Sequence, residues 1–125
     1  MSDPTRTILI VDDDPQILRL VSAMLGPQQV HVLAVPRPSE ALRICGEEKV
    51  DLLISDVSMP EMDGNKLAER VLKLCPGVSV LLISGAVHEA PPVRGGRVRF
   101  LHKPFFPAEL VQLVRAMLAD KAERA

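Results

Sequence analysis

Residues 8–15 read Ile8-Leu9-Ile10-Val11-Asp12-Asp13-Asp14-Pro15. Four apolar residues run straight into three carboxylates and a proline. A short continuous apolar run bounded by turn residues is the pattern of a strand covered on both faces, the usual condition of a parallel sheet. Asp14-Pro15 then opens a helix, with Asp at the N-cap and Pro at the first helical position. Ile17, Leu18, Val21, Met24 and Leu25 follow at helical spacing, and Gly26-Pro27 ends the run. Three adjacent carboxylates raise one another's pKa and oppose folding, unless water, a helix N-terminus or a cation offsets them. Which of these applies decides how the chain works.

The same alternation continues outward from this unit. The strand extends from Thr7 to Val11, and a second runs from Val30 to Val35. Ser39 is expected to cap a short helix carrying Ala41, Leu42 and Cys45. A third strand covers Asp51 to Ser55 and ends at Asp56. Asn65 to Leu74 is helical, with Leu67, Val71 and Leu74 on one face and Pro76-Gly77 beyond it. Val78 to Ile83 and Arg97 to Leu101 read as the fourth and fifth strands. Ala108 to Leu118 is a final amphipathic helix preceded by Pro107. Five strands alternating with helices predict an α/β fold: a doubly wound parallel sheet with helices on both faces. Between Ser84 and Arg97 the chain reads GAVHEAPPVRGG. Two prolines and three glycines leave room for a turn or two of helix, so the fourth helix is expected to be short or irregular.

At 125 residues the chain is expected to be one domain, residues 1–125, with a core of about 6–119 and a polar tail at 120–125. This length buries a core without disulfides or structural metal. The net charge of −1 gives no global field for nucleic acid or an anionic membrane. With no Trp, no Tyr and three Phe there is no aromatic platform for stacking bases. No apolar run approaches the ~20 residues of a membrane span, and MSDPTRT lacks the parts of a signal peptide, so a cytoplasmic location is expected. Cys45 and Cys75 are far apart in sequence and without a Cys-x-x-Cys spacing. They read as small hydrophobes on helix faces rather than a disulfide or a zinc site.

In open α/β sheets, ligands bind at the carboxyl ends of the strands. Those ends carry Asp12 and Asp13, Asp56, Ser84, and Lys103 followed by Pro104. Three carboxylates, a hydroxyl and an ammonium are thus predicted on one edge. Crowded carboxylates suit a hard divalent cation. Mg²⁺ in particular takes few protein carboxylates, keeps several waters and accepts phosphate oxygens. Lys103 is a point charge suited to a phosphoryl oxygen. Metal on one side and lysine on the other would neutralise both an attacking carboxylate and an incoming phosphate.

The segments ILIVDDDP, DLLISDVSMPEMDG, VLLISGA and FLHKPF, in this order and with these separations, resemble a response-regulator receiver domain (CheY-like) of two-component signalling over roughly residues 6 to 119. The resemblance implies a flavodoxin-like sheet of order 2-1-3-4-5. It implies that Asp56 is the phosphoacceptor, modified by a histidine kinase or histidine phosphotransfer protein with Mg²⁺ as cofactor. Asp13 matches the direct metal ligand, Asp12 the acid that holds the metal through water, and the Ser58 backbone carbonyl a further ligand. Ser84 matches the hydroxyl that binds the phosphoryl group and moves on activation, and Lys103 the lysine that pairs with it. The Lys103-Pro104 bond matches one that is usually cis. Gly85 falls where a small residue keeps the site open, and Phe100 at the switch aromatic. Such a domain uses its own side chain and is not a turnover enzyme.

The family usually places output, and often dimerisation, on the face made by the fourth helix, the fifth strand and the last helix. The Pro/Gly-rich segment departs from that pattern. No helix-turn-helix or basic recognition helix is present, so direct DNA binding is not expected, and the downstream partner is a protein. The leading expectation is therefore a phosphorylation switch. The alternatives are a phosphorylation-independent scaffold or dimerisation module and a phosphatase using an Asp nucleophile. The second alternative lacks the cap or large loops that hold a substrate.

Overall fold

A computed structural model of the chain describes residues 5–85 and 97–124. Five parallel strands form one sheet: β1 (Thr7–Val11), β2 (His31–Val35), β3 (Leu52–Asp56), β4 (Ser79–Ser84) and β5 (Val98–His102). Their order is β2-β1-β3-β4-β5. The helices are α1 (Pro15–Leu25), α2 (Pro38–Glu47), α3 (Gly64–Leu74) and α4 (Pro107–Arg124). The doubly wound α/β reading therefore holds. The expected fourth helix, in residues 85–96, lies outside the described residues apart from Gly85.

Alternation within each strand divides the core in two. On β1, Leu9 and Val11 pack with Ala41, Ile44, Leu67 and Val71 on the α2–α3 side. Ile8 and Ile10 pack with Val21, Leu25, Leu110 and Val114 on the α1–α4 side. Successive strand residues point to opposite faces, so a strand covered twice has no place for a charged residue until it ends. That is why the carboxylates begin abruptly at Asp12.

Local signals set most helix boundaries. Asp14 caps α1, its side chain accepting from the Gln16 N–H at 2.9 Å. Asp63 caps α3 by accepting from the Lys66 N–H at 2.9 Å. Gly26-Pro27 does end α1, but through a 3₁₀ turn, Gly26–Gln28, and the left-handed residue that follows is Gln29 (φ 61°).

Three expectations need correction. Ser39 does not cap α2. The N-cap is Arg37, Pro38 takes the first helical position, and the Ser39 N–H donates to Glu61 Oε1 at 2.8 Å. β2, β3, β4 and β5 each begin one residue later than the apolar pattern suggests. Val78 is fully buried but lies in the approach to β4, and Arg97 donates from Nε and Nη2 to the Val78 carbonyl at 2.9 and 2.7 Å. Finally, α4 continues through the expected polar tail to Arg124, because Lys, Ala, Glu and Arg are good helix formers and no Gly or Pro stops it.

Candidate functional site

The carboxyl ends of β1 and β3 deliver the acidic residues. Asp12 follows β1 and is 3% exposed; Asp56 is the last residue of β3 and 8% exposed; Asp13, between Asp12 and the α1 cap, is exposed. Each offers one carboxylate oxygen, and the three lie within 4.8 Å of one another. Lys103, immediately after β5, places Nζ 3.5 Å from Asp56 Oδ1. Asp12, Asp13, Asp56 and Lys103 are thus brought together.

The backbone holds these groups tightly. Asp12 N–H donates to the Val35 carbonyl at 3.3 Å, and Asp12 Oδ1 accepts from Asp14 N–H at 2.9 Å. Val57 N–H, just after Asp56, donates to the Ile83 carbonyl at 3.0 Å. Lys103 N–H donates to the Ser84 carbonyl at 2.8 Å, tying the lysine to the end of β4. The Lys103–Pro104 peptide bond is cis.

Burial dominates the electrostatics. It raises the Asp12 carboxyl from its ordinary 3.8 to about 6, with Asp56 and Asp13 adding to the rise while the Asp14 N–H and Lys103 oppose it. The Asp56 carboxyl is also raised by burial, against the pull of Lys103, its largest opposing influence. A site that makes carboxylates uncomfortable as anions, yet gathers three of their oxygens, gains from any cation that enters it. The donor set is all oxygen, as a hard cation such as Mg²⁺ requires.

The other expected residues sit around this cluster. Ser84 is fully buried at the end of β4, one residue beyond Ile83, which pairs with Asp56. Ser58 is exposed, two residues after Asp56. Gly85 is exposed, and a Cβ built on it would have its nearest neighbour, Lys103 Cδ, at 4.0 Å. Phe100 is half-buried on β5 and packs on the α2–α3 side of the core. By alternation it shares that sheet face with Ser84, since Val80 and Leu82 of β4 belong to the same side.

One further contributor is not marked as a site residue by the sequence. Gly64, the first residue of α3, is buried against the back of Asp56. A Cβ there would overlap the Asp56 carbonyl oxygen and lie 2.9 Å from Val57 Cα. Its N–H donates to the Val57 carbonyl at 2.8 Å. The Asp63-Gly64 pair marks a turn in the sequence, but the close approach belongs to the packing of α3 on β3.

Comparison with known proteins agrees with this arrangement. The model of the response regulator receiver domain family matches residues 8–115. The chain is 35% identical over 125 residues to the transcriptional regulatory protein GlrR of Escherichia coli (strain K12), covering 98% of this chain and 28% of that protein. It is 37% identical over 113 residues to an uncharacterized 14.6 kDa protein of Leptolyngbya boryana, with 86% of each chain covered. The chain thus spans under a third of the length of GlrR and most of the length of the Leptolyngbya protein. Its fold superposes with a TM-score of 0.90 on the crystal structure of a CheY-like response regulator receiver domain protein from Methanospirillum hungatei JF-1, at 26% identity, covering 98% of this chain and 100% of that one. With strand order, acidic cluster and family match in agreement, the chain belongs to the response regulator receiver domain family.

Proposed function

We propose that the chain is a phosphorylation switch in which Asp56 accepts a phosphoryl group from a histidine kinase or a histidine phosphotransfer protein. The single observation that carries this reading is the convergence of the Asp12, Asp13 and Asp56 oxygens within 4.8 Å, with Lys103 Nζ 3.5 Å from Asp56 Oδ1. In this reading Asp13 and Asp56 hold Mg²⁺ directly, Asp12 holds it through water, and the Ser58 backbone carbonyl supplies a further oxygen. Bound there, the ion supplies positive charge for the phosphoryl oxygens and keeps the carboxylates ionised.

The chain's own residues do the rest. An Asp56 carboxylate oxygen attacks phosphorus in line with the departing donor nitrogen, and an acyl phosphate forms. Burial raises the Asp56 pKa, which makes its anion more reactive; Lys103 holds that anion and then the phosphoryl oxygen that replaces it. The Ser84 hydroxyl donates to another phosphoryl oxygen. Phe100, on the same sheet face as Ser84, follows its displacement and alters a protein-binding surface. Gly85 keeps the entrance low beside the Lys103 stem. The site consumes its own carboxylate, so the product is a modified protein and not a released molecule. The reading entails a soluble cytoplasmic setting, a downstream protein partner or a second copy of the chain, and no direct contact with nucleic acid. Among the described residues no helix is long and apolar enough to cross a membrane.

Intact-protein mass spectrometry after incubation with acetyl phosphate tests the proposal. One added phosphoryl group is expected, requiring Mg²⁺ and absent in Asp56→Asn. No adduct together with no Mg²⁺ binding would favour the phosphorylation-independent scaffold.

A further inference from the structure

Cys45 lies in the last turns of α2, and Cys75 is the C-cap residue of α3. Thirty residues apart in sequence, they meet across the α2–α3 layer. The Cys75 thiol donates to the Cys45 backbone carbonyl at 3.3 Å, so its sulfur is held against the residue that carries the other thiol. Both are free thiols: Cys45 is 4% exposed and Cys75 is half-buried at the surface of the same core. One sulfur is therefore shielded and its neighbour is reachable from solvent. This is the asymmetry that thiol–disulfide exchange uses, because an accessible sulfur meets the oxidant and a buried one completes the bond.

We propose that Cys45 and Cys75 form a paired-thiol modification site that closes to an intrachain disulfide when it meets an oxidant of the disulfide class, such as oxidised glutathione. Cys75 loses its proton, and its sulfur attacks one sulfur of the oxidant. The oxidant's S–S bond breaks and one glutathione leaves as the thiolate, which takes up a proton. The Cys45 thiol then loses its proton, and its sulfur attacks Cys75 Sγ and displaces the mixed-disulfide glutathione as a second thiol. Two protein thiols are oxidised and one disulfide is reduced to two thiols. Burial, together with the neighbouring Cys75, pushes the Cys45 thiol up to about 12, so the second step is slow and the site responds to sustained exposure to the oxidant.

The pair stands apart from the acidic cluster. Helices run back against the strand direction, so the C-terminal ends of α2 and α3 lie toward the edge where the strands begin, whereas Asp12, Asp13, Asp56 and Lys103 occupy the edge where they end. Closure would bolt α2 to α3 without consuming any group of that cluster.

Incubating the reduced full chain with excess oxidised glutathione, followed by intact-mass measurement and peptide mapping, tests this. The expected result is a monomer lighter by two hydrogens, containing a linked Cys45–Cys75 peptide, and a stable glutathionyl group on Cys75 in the Cys45→Ser variant. A persistent glutathionyl adduct on the wild-type chain, or a covalent dimer, would overturn the proposal. So would thiols that stay unmodified in the folded chain while a urea-unfolded sample oxidises.

Discussion

Asp12 shows what the site asks of a single residue. Its carboxyl moves from 3.8 to about 6 on folding, chiefly because it is buried. Between those values the folded chain binds a proton that the unfolded chain has released, so stability falls as pH rises through that window. Above it, ionised Asp12 costs about 3 kcal/mol in the metal-free protein. Asp12→Asn keeps an oxygen for the Asp14 N–H and removes the charge. The metal-free variant is therefore expected to melt several degrees above the wild type at pH 7.5. The two should converge by pH 4, as measured by thermal denaturation across pH with a chelator present. The residues of this cluster were legible in the sequence because a strand buried on both faces ends where polarity begins. Asp12 and Asp13 are the first charges after such a run and Asp56 ends one, whereas Lys103 follows β5, an edge strand that already carries the exposed Arg99. Gly64 was not legible as a site residue, since nothing in the chain says how near α3 comes to the Asp56 carbonyl.

At the scale of elements, the segment from β3 to α3 determines how Asp56 is presented. The Gly64 N–H binds the Val57 carbonyl at 2.8 Å, Asp63 caps α3, and Glu61 reaches to the Ser39 N–H at the start of α2. The loop is thus pinned to the helices on either side of it. A methyl group at position 64 has nowhere to go, because the atoms it would strike are backbone. Gly64→Ala is expected to destabilise the protein by about 1–3 kcal/mol and to slow formation of the Asp56 adduct, read by denaturant unfolding and by acetyl phosphate labelling. An unchanged unfolding midpoint would show that α3 can step back without loss. The same segment explains why element types were easier to read than their edges. Apolar periodicity marked α3 through Leu67 and Val71, but helix starts depend on which residue's backbone turns first. At α2 the choice fell to Arg37 and Pro38 because proline suits the first turn, and the Ser39 N–H is satisfied by Glu61, 22 residues on, a partner local reasoning does not see. Likewise the fully buried Val78 reads as strand by hydrophobicity alone, while β4 begins at Ser79, whose N–H donates to the Asp51 carbonyl.

Across the whole molecule, the two edges of the sheet are built differently. At the edge where strands begin, buried Asp51 is matched: Oδ2 accepts the Thr7 N–H at 2.8 Å and Oδ1 lies 3.6 Å from Arg6. At the edge where strands end, three carboxylates share one partly exposed lysine, and two of them have raised pKa values. Stability is thus withheld at one end of the fold, and under the proposed function a bound cation would restore it. A ligand that binds only the folded state stabilises it by mass action, by about 2.7 kcal/mol at a hundredfold excess over its Kd. Mg²⁺ titrated at pH 7.5 is therefore expected to raise Tm progressively, by several degrees at saturation. Because protons compete with the ion for the same oxygens, the rise should shrink as pH falls through about 6. Asp13 separates binding from folding. It is exposed, so Asp13→Asn should leave the metal-free Tm nearly unchanged while abolishing most of the Mg²⁺-dependent rise. If the variant kept the full rise, the ion would be held elsewhere and the acidic edge would need another explanation. A wild-type Tm indifferent to Mg²⁺ would remove the cation from the account of why these charges are tolerated at all.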